Sequence, residues 1–412
     1  MSVEIVLVRH AETVGNARGL WQGSDNSTLS ETGIDQVARL QRWLAAERFD
    51  RVVVSPLGRT RQTARGIVGD DFEIDARWRE PSVGEWEGLT HKEIAGRYPE
   101  KYGSLLSRQD VLLDDERLTD VAARTNEAFQ DLVNAASDGD RILVVSHGLA
   151  LLMFTSVALG GPRPGSVRLL SNAGLTRITV AADDIEFTSY NDTSHLDPVV
   201  PAPRQDETQV ILVRHGETDS NLNGEWQGQQ EGLLSAEGHS QARRLGDLKL
   251  PISAVYSSPL GRARDTAKQV ADRISKDVRP VTDVQEMNFG VWEGMRPVDI
   301  AEQFPDDWVA IRDLDEDRPR GLTGETFSIV QKRVTAAIDS LAQDHVGETV
   351  AVVSHGGASR AFVLGVLGFG YPKRKHLSIL GNTAYARVIY TPRGTQLASW
   401  NSAPHLRAPH LR

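Results

Sequence analysis

One short phrase occurs twice in the chain, and it constrains the fold more than any other feature. Residues 6–13 read VLVRHAET, and residues 211–218 read ILVRHGET. An apolar run that ends in Arg-His is typical of a buried strand that carries two polar side chains to its carboxyl end. The repetition predicts a tandem duplication, so each candidate residue can be compared with its copy.

The two copies stay in step along the whole chain. His10 and His215 are 205 residues apart, and the other matched motifs are 203 to 210 residues apart. Those matched pairs are residues 55–59 and 258–262, Glu80 and Glu286, residues 146–148 and 354–356, and Asn191 and Asn401. A period of this length indicates a duplicated domain, because solenoid repeats are about 20–50 residues long.

The chain length agrees with two domains. A chain of 412 residues is too long for one ordinary core, whereas two cores of about 200 residues are common. We expect a first domain over 1–197, a proline-containing linker over 198–207, a second domain over 208–402 and a tail over 403–412. The tail repeats Ala-Pro-His-Leu-Arg, and we interpret it as a frayed terminus or a cloning remnant.

Composition excludes several classes of protein. The chain is 40% hydrophobic and 25% charged, which is typical of a soluble globular protein. It has no apolar run near the roughly 18 residues of a membrane span and no signal peptide at its start, so the cytoplasm is the expected location. The absence of cysteine excludes disulfides, thiol catalysis and thiolate metal sites. A net charge of −10 disfavours a nucleic-acid partner.

Apolar periodicity predicts alternating strands and helices. Helices are expected over residues 31–46, after Pro56 and over residues 119–136. The first of them has its apolar residues Ile34, Val37, Leu40 and Leu44 at helical spacing. Strand patterns cover residues 3–8, 51–54, 141–145, 176–180 and 186–190.

This alternation predicts an α/β fold. We expect two tandem three-layer domains, each a mostly parallel doubly wound sheet flanked by helices. Ligands of such sheets bind at the carboxyl ends of the strands. His10, residues 55–59 and His147 all lie at such ends, so we expect them to meet in one pocket.

Each half supplies two histidines, two arginines and one glutamate. Arginines near helix N-termini form an anion cradle that suits phosphate. A neutral histidine held there can attack phosphorus, provided that its other ring nitrogen donates to a carbonyl or a carboxylate. A glutamate can protonate the leaving oxygen and then deprotonate water. Neither half contains HExxH, a thiolate or a P-loop, so we predict no metal and no cofactor.

Each feature has a plainer structural interpretation when taken alone. An Arg-His or Ser-His-Gly motif can simply end a strand, and an isolated glutamate is usually a solvated acid. Trp86 and Trp292 are more typical of a core or a pocket wall than of chemistry. The acidic pairs at 70–71, 114–115 and 183–184 read as surface turns. Only the combination, repeated in the same order in both halves, favours catalysis.

On these motifs both halves resemble the histidine phosphatase superfamily, also called phosphoglycerate-mutase-like proteins. The family's Arg-His-Gly-Glu-Thr signature matches residues 214–218, and residues 9–13 match it with Ala11 in place of glycine. The resemblance implies that His10 and His215 are the phosphate-accepting nucleophiles and that Glu80 and Glu286 are the proton donors. It also implies that Asn16 and Asn221 bind phosphate. The further pocket residues that it implies are Arg9, Arg59, His147, Arg214, Arg262 and His355.

The first half departs further from the family pattern than the second. It has Val83 where the second half has Phe289, and residues 115–116 read Asp-Glu where residues 324–325 read Gly-Glu. Ala11 can also restrict the backbone beside the nucleophile. Two interpretations therefore stay open: both halves are active, or one is active and the other is a regulatory or binding partner.

The spacing between the acid and the second histidine bears on the reaction. This span is 67 residues in the first half and 69 in the second, whereas mutases of the resembled family carry longer insertions there. We therefore expect a phosphatase acting on a small phosphorylated metabolite, with a mutase-type phosphotransferase and a non-catalytic binding module as alternatives.

Residues 89–120 and 295–325 are expected to form lids that select the substrate. Their basic residues are candidates for binding a second anionic group, although such charges usually lie on solvated faces. They are Lys92, Arg97, Lys101, Arg108 and Arg117 in the first half, and Arg296, Arg312, Arg318 and Arg320 in the second.

Overall fold

The computed structural model describes residues 1–25, 27–107, 109–182, 184–196 and 200–407. The chain divides into two compact units, one over 1–197 and one over 198–409. Four sequence predictions fall on residues outside the described ranges. They concern Arg108, the first residue of the acidic pair at 183–184, residues 197–199 around the predicted linker, and the last five residues of the tail.

The first unit is built on one mixed sheet in the order β3-β2-β4-β1-β5-β6. The first four strands in that order run parallel, whereas β5 is antiparallel to both of its neighbours. The strands are β1 (Ser2–Arg9), β2 (Arg51–Val54), β3 (Glu73–Ile74), β4 (Arg141–Ser146), β5 (Leu175–Ala181) and β6 (Asp184–Asp192).

Helices cover the sheet of the first unit on both faces. Val6 and Val8 of β1 pack into one core with residues of α2 and α3, while α6 and α7 pack together and α7 contacts β1. The central strands β1 and β4 are largely buried on both sides, and Val, Ile and Leu therefore occupy most of their positions. The helices are α1 (Val14–Ala17), α2 (Glu31–Leu44), α3 (Gly58–Val68), α4 (His91–Arg97), α5 (Pro99–Leu106), α6 (Leu118–Ala135) and α7 (Gly148–Ala158).

One predicted core residue of α2 is exposed. Val37, Leu40 and Leu44 are buried, as their spacing predicts, but Ile34 is 62% exposed. The start of the helix approaches the chain through Gly33 instead, where an added Cβ would lie 2.0 Å from the carbonyl oxygen of Glu12. This close backbone contact turns the side chain of the next residue outward, and periodicity alone does not detect it.

The second unit repeats the architecture in the order β12-β11-β7-β10-β8-β9. Strands β7 to β10 are parallel and β11 is antiparallel to its neighbours β7 and β12. The predicted α/β class, with a mostly parallel sheet between helices, is therefore confirmed in each unit. The strands are β7 (Thr208–Arg214), β8 (Ala254–Ser257), β9 (Val278–Pro280), β10 (Thr349–Ser354), β11 (Tyr385–Thr391) and β12 (Gly394–Ser402).

The helices of the second unit also match those of the first one by one. They are α8 (Asp219–Asn223), α9 (Ala236–Asp247), α10 (Gly261–Arg273), α11 (Pro297–Gln303), α12 (Pro305–Arg312), α13 (Phe327–Gln343) and α14 (Gly356–Leu367). Within the described residues, none of the helices of either unit is long and apolar enough to cross a membrane.

Two segments outside the predicted second domain pack against it. Val200, expected in the linker, is 3% exposed and belongs to the core of the second unit. His405, expected in a frayed tail, is 1% exposed, and its Nε2 lies 2.8 Å from Thr383 Oγ1. His195, 210 residues earlier, is buried in the same way in the first unit. The first Ala-Pro-His-Leu-Arg copy is therefore part of the duplicated fold, because Pro404 and His405 are buried and their segment packs against α9.

Candidate active sites

The first site is centred on His10, which directly follows strand β1. His10 is 3% exposed, and its backbone N–H donates to the carbonyl of Ser146 at 2.9 Å. Its ring Nδ1 lies 2.8 Å from the carbonyl oxygen of Ala11. A carbonyl only accepts, so Nδ1 carries the proton and Nε2 keeps its lone pair. Burial, helped by the charges of Arg9 and Arg59, holds the pKa of His10 well below its usual value, which leaves a neutral ring with a free nitrogen.

The guanidinium of Arg59, at the start of α3, is fixed on three sides. Its Nη1 donates to the carbonyl of Asp25 at 2.6 Å and its Nη2 to that of Gly23 at 2.8 Å. Its Nε donates to His147 Nδ1 at 3.2 Å, and His147 Nε2 lies 2.7 Å from Ser55 Oγ. These contacts make Arg59 a rigid cation that faces the second histidine.

The remaining groups of the first site converge on the same place. The rings of His10 and His147 are 5.2 Å apart. Burial, with lesser contributions from nearby positive charges, holds the pKa of His147 well below its usual value. Arg9 donates through Nη1 to the carbonyl of Leu170 at 2.6 Å. Burial lowers the pKa of Arg9 to about 10, so it remains a cation at neutral pH.

Glu80 lies over the N-terminus of α7. Its two carboxylate oxygens accept the backbone N–H groups of Leu149 at 3.1 Å and Ala150 at 3.0 Å. Burial raises the pKa of Glu80, and this effect outweighs the opposing hydrogen bonds and the charges of Arg59 and Arg9. A buried carboxyl that keeps its proton more readily than usual is suited to donate it.

The second site repeats the nucleophile geometry. His215 is 4% exposed, and its Nδ1 lies 2.7 Å from the carbonyl oxygen of Gly216. His355 is fully buried, and its Nε2 lies 2.8 Å from Ser258 Oγ. The two imidazole rings are 5.1 Å apart. Burial, together with Arg262 and Arg214, holds the pKa of both histidines well below the usual value.

Arg262 is held as Arg59 is, but it points to the other histidine. Its Nη2 and Nη1 donate to the carbonyls of Gly228 at 2.7 Å and Gln230 at 2.9 Å. Its Nε donates to His215 Nε2 at 3.3 Å, whereas the Nε of Arg59 donates to the second histidine of its own site. In the second site the unprotonated nitrogen of the candidate nucleophile therefore already faces a cation.

The two acids differ in the number of backbone N–H groups that they accept. Glu286 accepts those of Gly357 at 3.0 Å and Ala358 at 2.9 Å, as Glu80 does in the first site. It also accepts the N–H of Met287 at 2.9 Å. The residue at that position in the first half is Pro81, which has no N–H. The ionised form of the second acid therefore receives one more hydrogen bond.

The substitution of Ala11 for glycine leaves the histidine contact in place. An added Cβ on Gly216 would lie 2.7 Å from the carbonyl oxygen of Gly238, which is too close for a real contact. In the first unit the methyl group of Ala11 is instead fully buried in the core. The distance from histidine Nδ1 to the next carbonyl is nearly equal in the two sites, so Ala11 does not displace the ring.

Asn16 and Asn221, the candidate phosphate-binding asparagines, lie in the short helices α1 and α8. Asn16 Oδ1 accepts the backbone N–H of Thr13 at 3.3 Å, and Asn221 Oδ1 accepts that of Thr218 at 3.2 Å. Each threonine hydroxyl in turn accepts the backbone N–H of the asparagine. These capping boxes hold both amides next to the strand that carries the histidine.

Sequence reasoning missed several groups that support the sites. Asn172 and Asn382 each donate to the backbone of the candidate nucleophile. The carbonyls of Gly23 and Gly228, in the repeated motif Trp-Gln-Gly, hold the arginines described above. All of them recur in both halves, so a full comparison of the two copies would have revealed them.

A half-buried ion pair also escaped the sequence analysis. Arg333 Nε lies 2.7 Å from a carboxylate oxygen of Glu325, and Arg333 Nη2 donates to the backbone carbonyl of Glu286 at 2.8 Å. Arg124 pairs in the same way with Glu116 in the first unit. The signal was a glutamate followed eight residues later by an arginine, at matching positions of both halves.

The predicted lid segments each contain two short helices, and several of their basic residues already have partners. Lys101 Nζ donates to the carbonyl of Leu113, Arg117 pairs with Asp110, and Arg296 pairs with Asp299. Arg320 is buried, 4.7 Å from the ring centre of Tyr371. Arg312 lies over Trp308 and Arg318 pairs with Glu316, whereas Lys92 and Arg97 are exposed.

The two tryptophans that we interpreted as core residues are buried, and two of the acidic pairs that we interpreted as surface turns are exposed. Trp86 and Trp292 are at most 2% exposed, within aromatic clusters. The acidic pairs at 70–71 and 114–115 are exposed. Among the residues that the structure describes, no group of three or more His, Asp or Glu side chains is arranged to hold a metal ion.

Comparisons with known proteins identify the family to which this chain belongs. The family model described as the histidine phosphatase superfamily (branch 1) matches residues 5–193 and again residues 210–403. The chain therefore belongs to the histidine phosphatase superfamily and contains the family's domain twice.

Its curated relatives include both phosphatases and mutases. A metal-independent phosphoserine phosphatase of Arabidopsis thaliana is 39% identical over 162 residues, which make up 38% of this chain and 68% of that protein. A protein named probable phosphoglycerate mutase GpmB, from an Enterobacter species, is 33% identical over 50% of this chain and 99% of its own length. A phosphoserine phosphatase structure from Entamoeba histolytica, in complex with 3-phosphoglyceric acid, is 28% identical with a TM-score of 0.43 and covers 47% of this chain and 99% of that one.

Proposed function

We propose that the protein is a metal-independent phosphatase that hydrolyses small-molecule phosphate monoesters at two sites per chain, through phosphohistidine intermediates. The observation that carries the proposal is the state of His10 and His215. Each is buried, donates its Nδ1–H to the carbonyl of the next residue, and keeps Nε2 unprotonated near two arginines. This is the form of histidine that can attack phosphorus.

The first half-reaction would use the histidine and the acid together. Nε2 of His10 attacks phosphorus, and the bond between phosphorus and the ester oxygen breaks. Glu80 gives its proton to the departing oxygen, so an alcohol leaves and a neutral carboxyl becomes a carboxylate. The cations of Arg9 and Arg59 stabilise the charge on the three equatorial oxygens.

The second half-reaction reverses the role of the acid. The carboxylate of Glu80 takes a proton from water, and the resulting hydroxide attacks phosphorus. The bond from phosphorus to His10 Nε2 breaks, inorganic phosphate leaves, and the free imidazole and the protonated acid are restored. The second site has the corresponding groups His215, Glu286 and Arg214 with Arg262.

The substrate class follows from the relatives and from the size of the span between acid and second histidine. The named relatives act on phosphoserine or are named as phosphoglycerate mutases, so a small phosphorylated acid or sugar phosphate is the class to test first. A phosphoglycerate mutase activity remains the alternative, because one of the named relatives carries that name. We place the enzyme in the cytoplasm on the sequence features alone.

Trapping the intermediate tests the proposal directly. After rapid quenching with ³²P-labelled phosphoserine or phosphoglycerate, the protein should carry an acid-labile, base-stable label. His10→Ala should remove one part of this label and His215→Ala the other. His239→Ala is a matched control, because this histidine is exposed on α9, and it should keep both parts.

The outcomes separate the possibilities. Label that survives in the double variant refutes the assignment of the nucleophiles. Label that one histidine alone accounts for means that one domain is active and the other serves as its partner. Transfer of the label to a second hydroxyl of the substrate, rather than to water, identifies a mutase.

A further inference from the structure

A short loop touches the backbone of the candidate nucleophile in both units. We call residues 171–174 and 381–384 the asparagine loops, since each contains one asparagine, Asn172 or Asn382. Asn172 Nδ2 donates to the backbone carbonyl of His10 at 3.1 Å and to Asn16 Oδ1 at 3.0 Å. The amide NH2 group of Asn172 thus bridges the histidine and the candidate phosphate-binding asparagine.

The second unit shows the same bridge with the same atoms. Asn382 Nδ2 donates to the backbone carbonyl of His215 at 3.2 Å and to Asn221 Oδ1 at 2.9 Å. The loop sequences differ, SNAG in one unit and GNTA in the other, so the asparagine is the residue that they share at this point. A bridge that recurs in two diverged copies is a property of the site.

The bridge decides which end of the phosphate-binding amide is free to donate. Asn221 Oδ1 already accepts the N–H of Thr218, and the bridge from Asn382 fills its second acceptor position. The oxygen end of this amide is therefore fixed on the protein side. Its amide NH2 group, with two N–H donors, is left to face a phosphate oxygen.

The backbone of the loops is strained where it contacts the catalytic strand. Ala173 and Thr383 have φ values of 56° and 57°, in the left-handed region. This conformation is especially costly for Thr383, because its side chain is β-branched. The N–H of Thr383 donates to the carbonyls of both Arg214 at 3.0 Å and His215 at 3.2 Å. The strained residue is therefore hydrogen-bonded to the candidate phosphate-binding arginine and to the candidate nucleophile.

The loops are themselves held by asparagines of strands β6 and β12. Asn191 Oδ1 accepts the N–H of Ser171 at 2.8 Å, and Asn401 Oδ1 accepts the N–H of Gly381 at 2.9 Å. This explains why the pair Asn191 and Asn401 recurs between the two halves although neither lies beside the histidine ring.

We propose that Asn172 and Asn382 are positioning residues, which orient the amides of Asn16 and Asn221 so that each amine points at the substrate phosphate. The inference rests on the proposed function, since it concerns phosphate binding at the same sites. Without the bridge, the oxygen of each phosphate-binding amide keeps only its hydrogen bond from the N–H of Thr13 or Thr218. The amide is then held less firmly, and a rotation that turned its oxygen toward the phosphate would repel the anion. The role is indirect, because the bridging asparagines act through the amide and do not touch the phosphate themselves.

A double-mutant cycle tests the proposal in the full-length chain. In a His10→Ala background only the second site turns over, and p-nitrophenyl phosphate reports its kcat/KM. Asn382→Ala should lower kcat/KM by about 10- to 100-fold, the usual effect of losing a hydrogen bond to a charged group. KM and the Ki of orthovanadate should rise, because the bound anion loses a donor. Asn221→Ala should have an effect of similar size, and the double variant should lose no more than either single variant.

Two further variants separate positioning from packing. Asn382→Leu keeps the branched shape at Cγ and fills the space with a larger side chain but has no donor, so it should be as impaired as Asn382→Ala. Asn223→Ala removes an exposed asparagine of the same helix, α8, whose amide contacts Glu225, and kcat/KM should stay unchanged. If Asn382→Ala fails to fold in a thermal melt, Asn172→Ala in a His215→Ala background repeats the experiment in the other copy.

Three results would overturn the inference. They are full activity of Asn382→Ala, recovery of activity by leucine, and losses in Asn221→Ala and Asn382→Ala that multiply in the double variant. Failure of the proposed function looks different, because the parent chain would then turn over no phosphate ester at all.

Discussion

The missing N–H at Pro81 leads to a specific prediction about pH dependence. Burial raises the pKa of Glu80, and among the residues that the structure describes two backbone N–H groups donate to its carboxylate. Pro81→Met supplies the N–H that Met287 donates in the second site. A hydrogen bond to a charged group contributes about 1.5–3 kcal/mol, and one pH unit corresponds to about 1.4 kcal/mol. The pKa of Glu80 should therefore fall by about 1–2 units.

The sign of the effect on activity follows from the role of the acid. In the proposed mechanism Glu80 must be protonated to assist the leaving group, so activity should decline as the pH rises through its pKa. A lower pKa moves this decline to lower pH. We expect the alkaline limb of the kcat/KM profile to shift down by about 1–2 pH units in Pro81→Met.

The assay uses a chain in which His215→Ala leaves only the first site active. A substrate with a poor leaving group, such as phosphoserine, makes proton donation important to the rate. Pro81→Ala provides the same N–H with a smaller side chain and should shift the limb equally. An unchanged limb, or one that moves to higher pH, would show that the local hydrogen bond does not control this acid.

The other predictions concern chemistry and domain structure. Glu80→Gln and Glu286→Gln, each measured with the other site inactivated, should slow the hydrolysis of phosphoserine about 10²- to 10⁴-fold. Hydrolysis of p-nitrophenyl phosphate should slow much less, because a good leaving group needs little protonation. Equal losses on both substrates would assign these glutamates to binding or structure. Excess EDTA should leave activity unchanged, because in the proposed mechanism arginines bind the phosphate and a histidine attacks it. Activity that magnesium or zinc restores after chelation would contradict this. Fragments 1–196 and 200–407 should each fold and show activity, with the second more active on generic esters. A shorter form of the second fragment, 208–407, should melt at a lower temperature than 200–407, because it lacks buried Val200. Activity that appears only when the fragments are mixed would show that the two domains form one obligate unit.

The strands, the main helices and the convergence of the site residues could be predicted from the sequence because their signals are local. The patterns for β2 and for α6 match the observed elements to within about a residue. His10, Arg59 and His147 come together because carboxyl ends of parallel strands share one edge of a sheet. Comparison of the two copies then removed most of the coincidental matches.

What the sequence did not reveal depends on contacts between distant segments. No local pattern distinguishes Ile34 from the buried residues of α2, because its exposure follows from the approach of Gly33 to another loop. Asn172 lies 162 residues from His10, and its hydrogen bond to His10 forms only because the antiparallel strand β5 brings it alongside β1. The acid's third hydrogen bond was equally hidden, since Pro81 and Met287 are unremarkable residues until the direction of one backbone N–H is known.

The buried methyl group of Ala11 limits which pieces of the two copies can be exchanged. The place that it fills in the first unit is blocked in the second by the carbonyl of Gly238, at 2.7 Å from the position of an added Cβ. In the opposite direction, Ala11→Gly would open a small void and loosen the chain, at a cost of about 1 kcal/mol. Chimaeras that transplant only the Arg-His-x-Glu-Thr segment should therefore be asymmetric, with the first unit tolerating the foreign segment better than the second. A graft that also carries the start of α2 or α9 moves both sides of this contact together, which makes the strand end and the helix start the smallest interchangeable module of the duplicated domain.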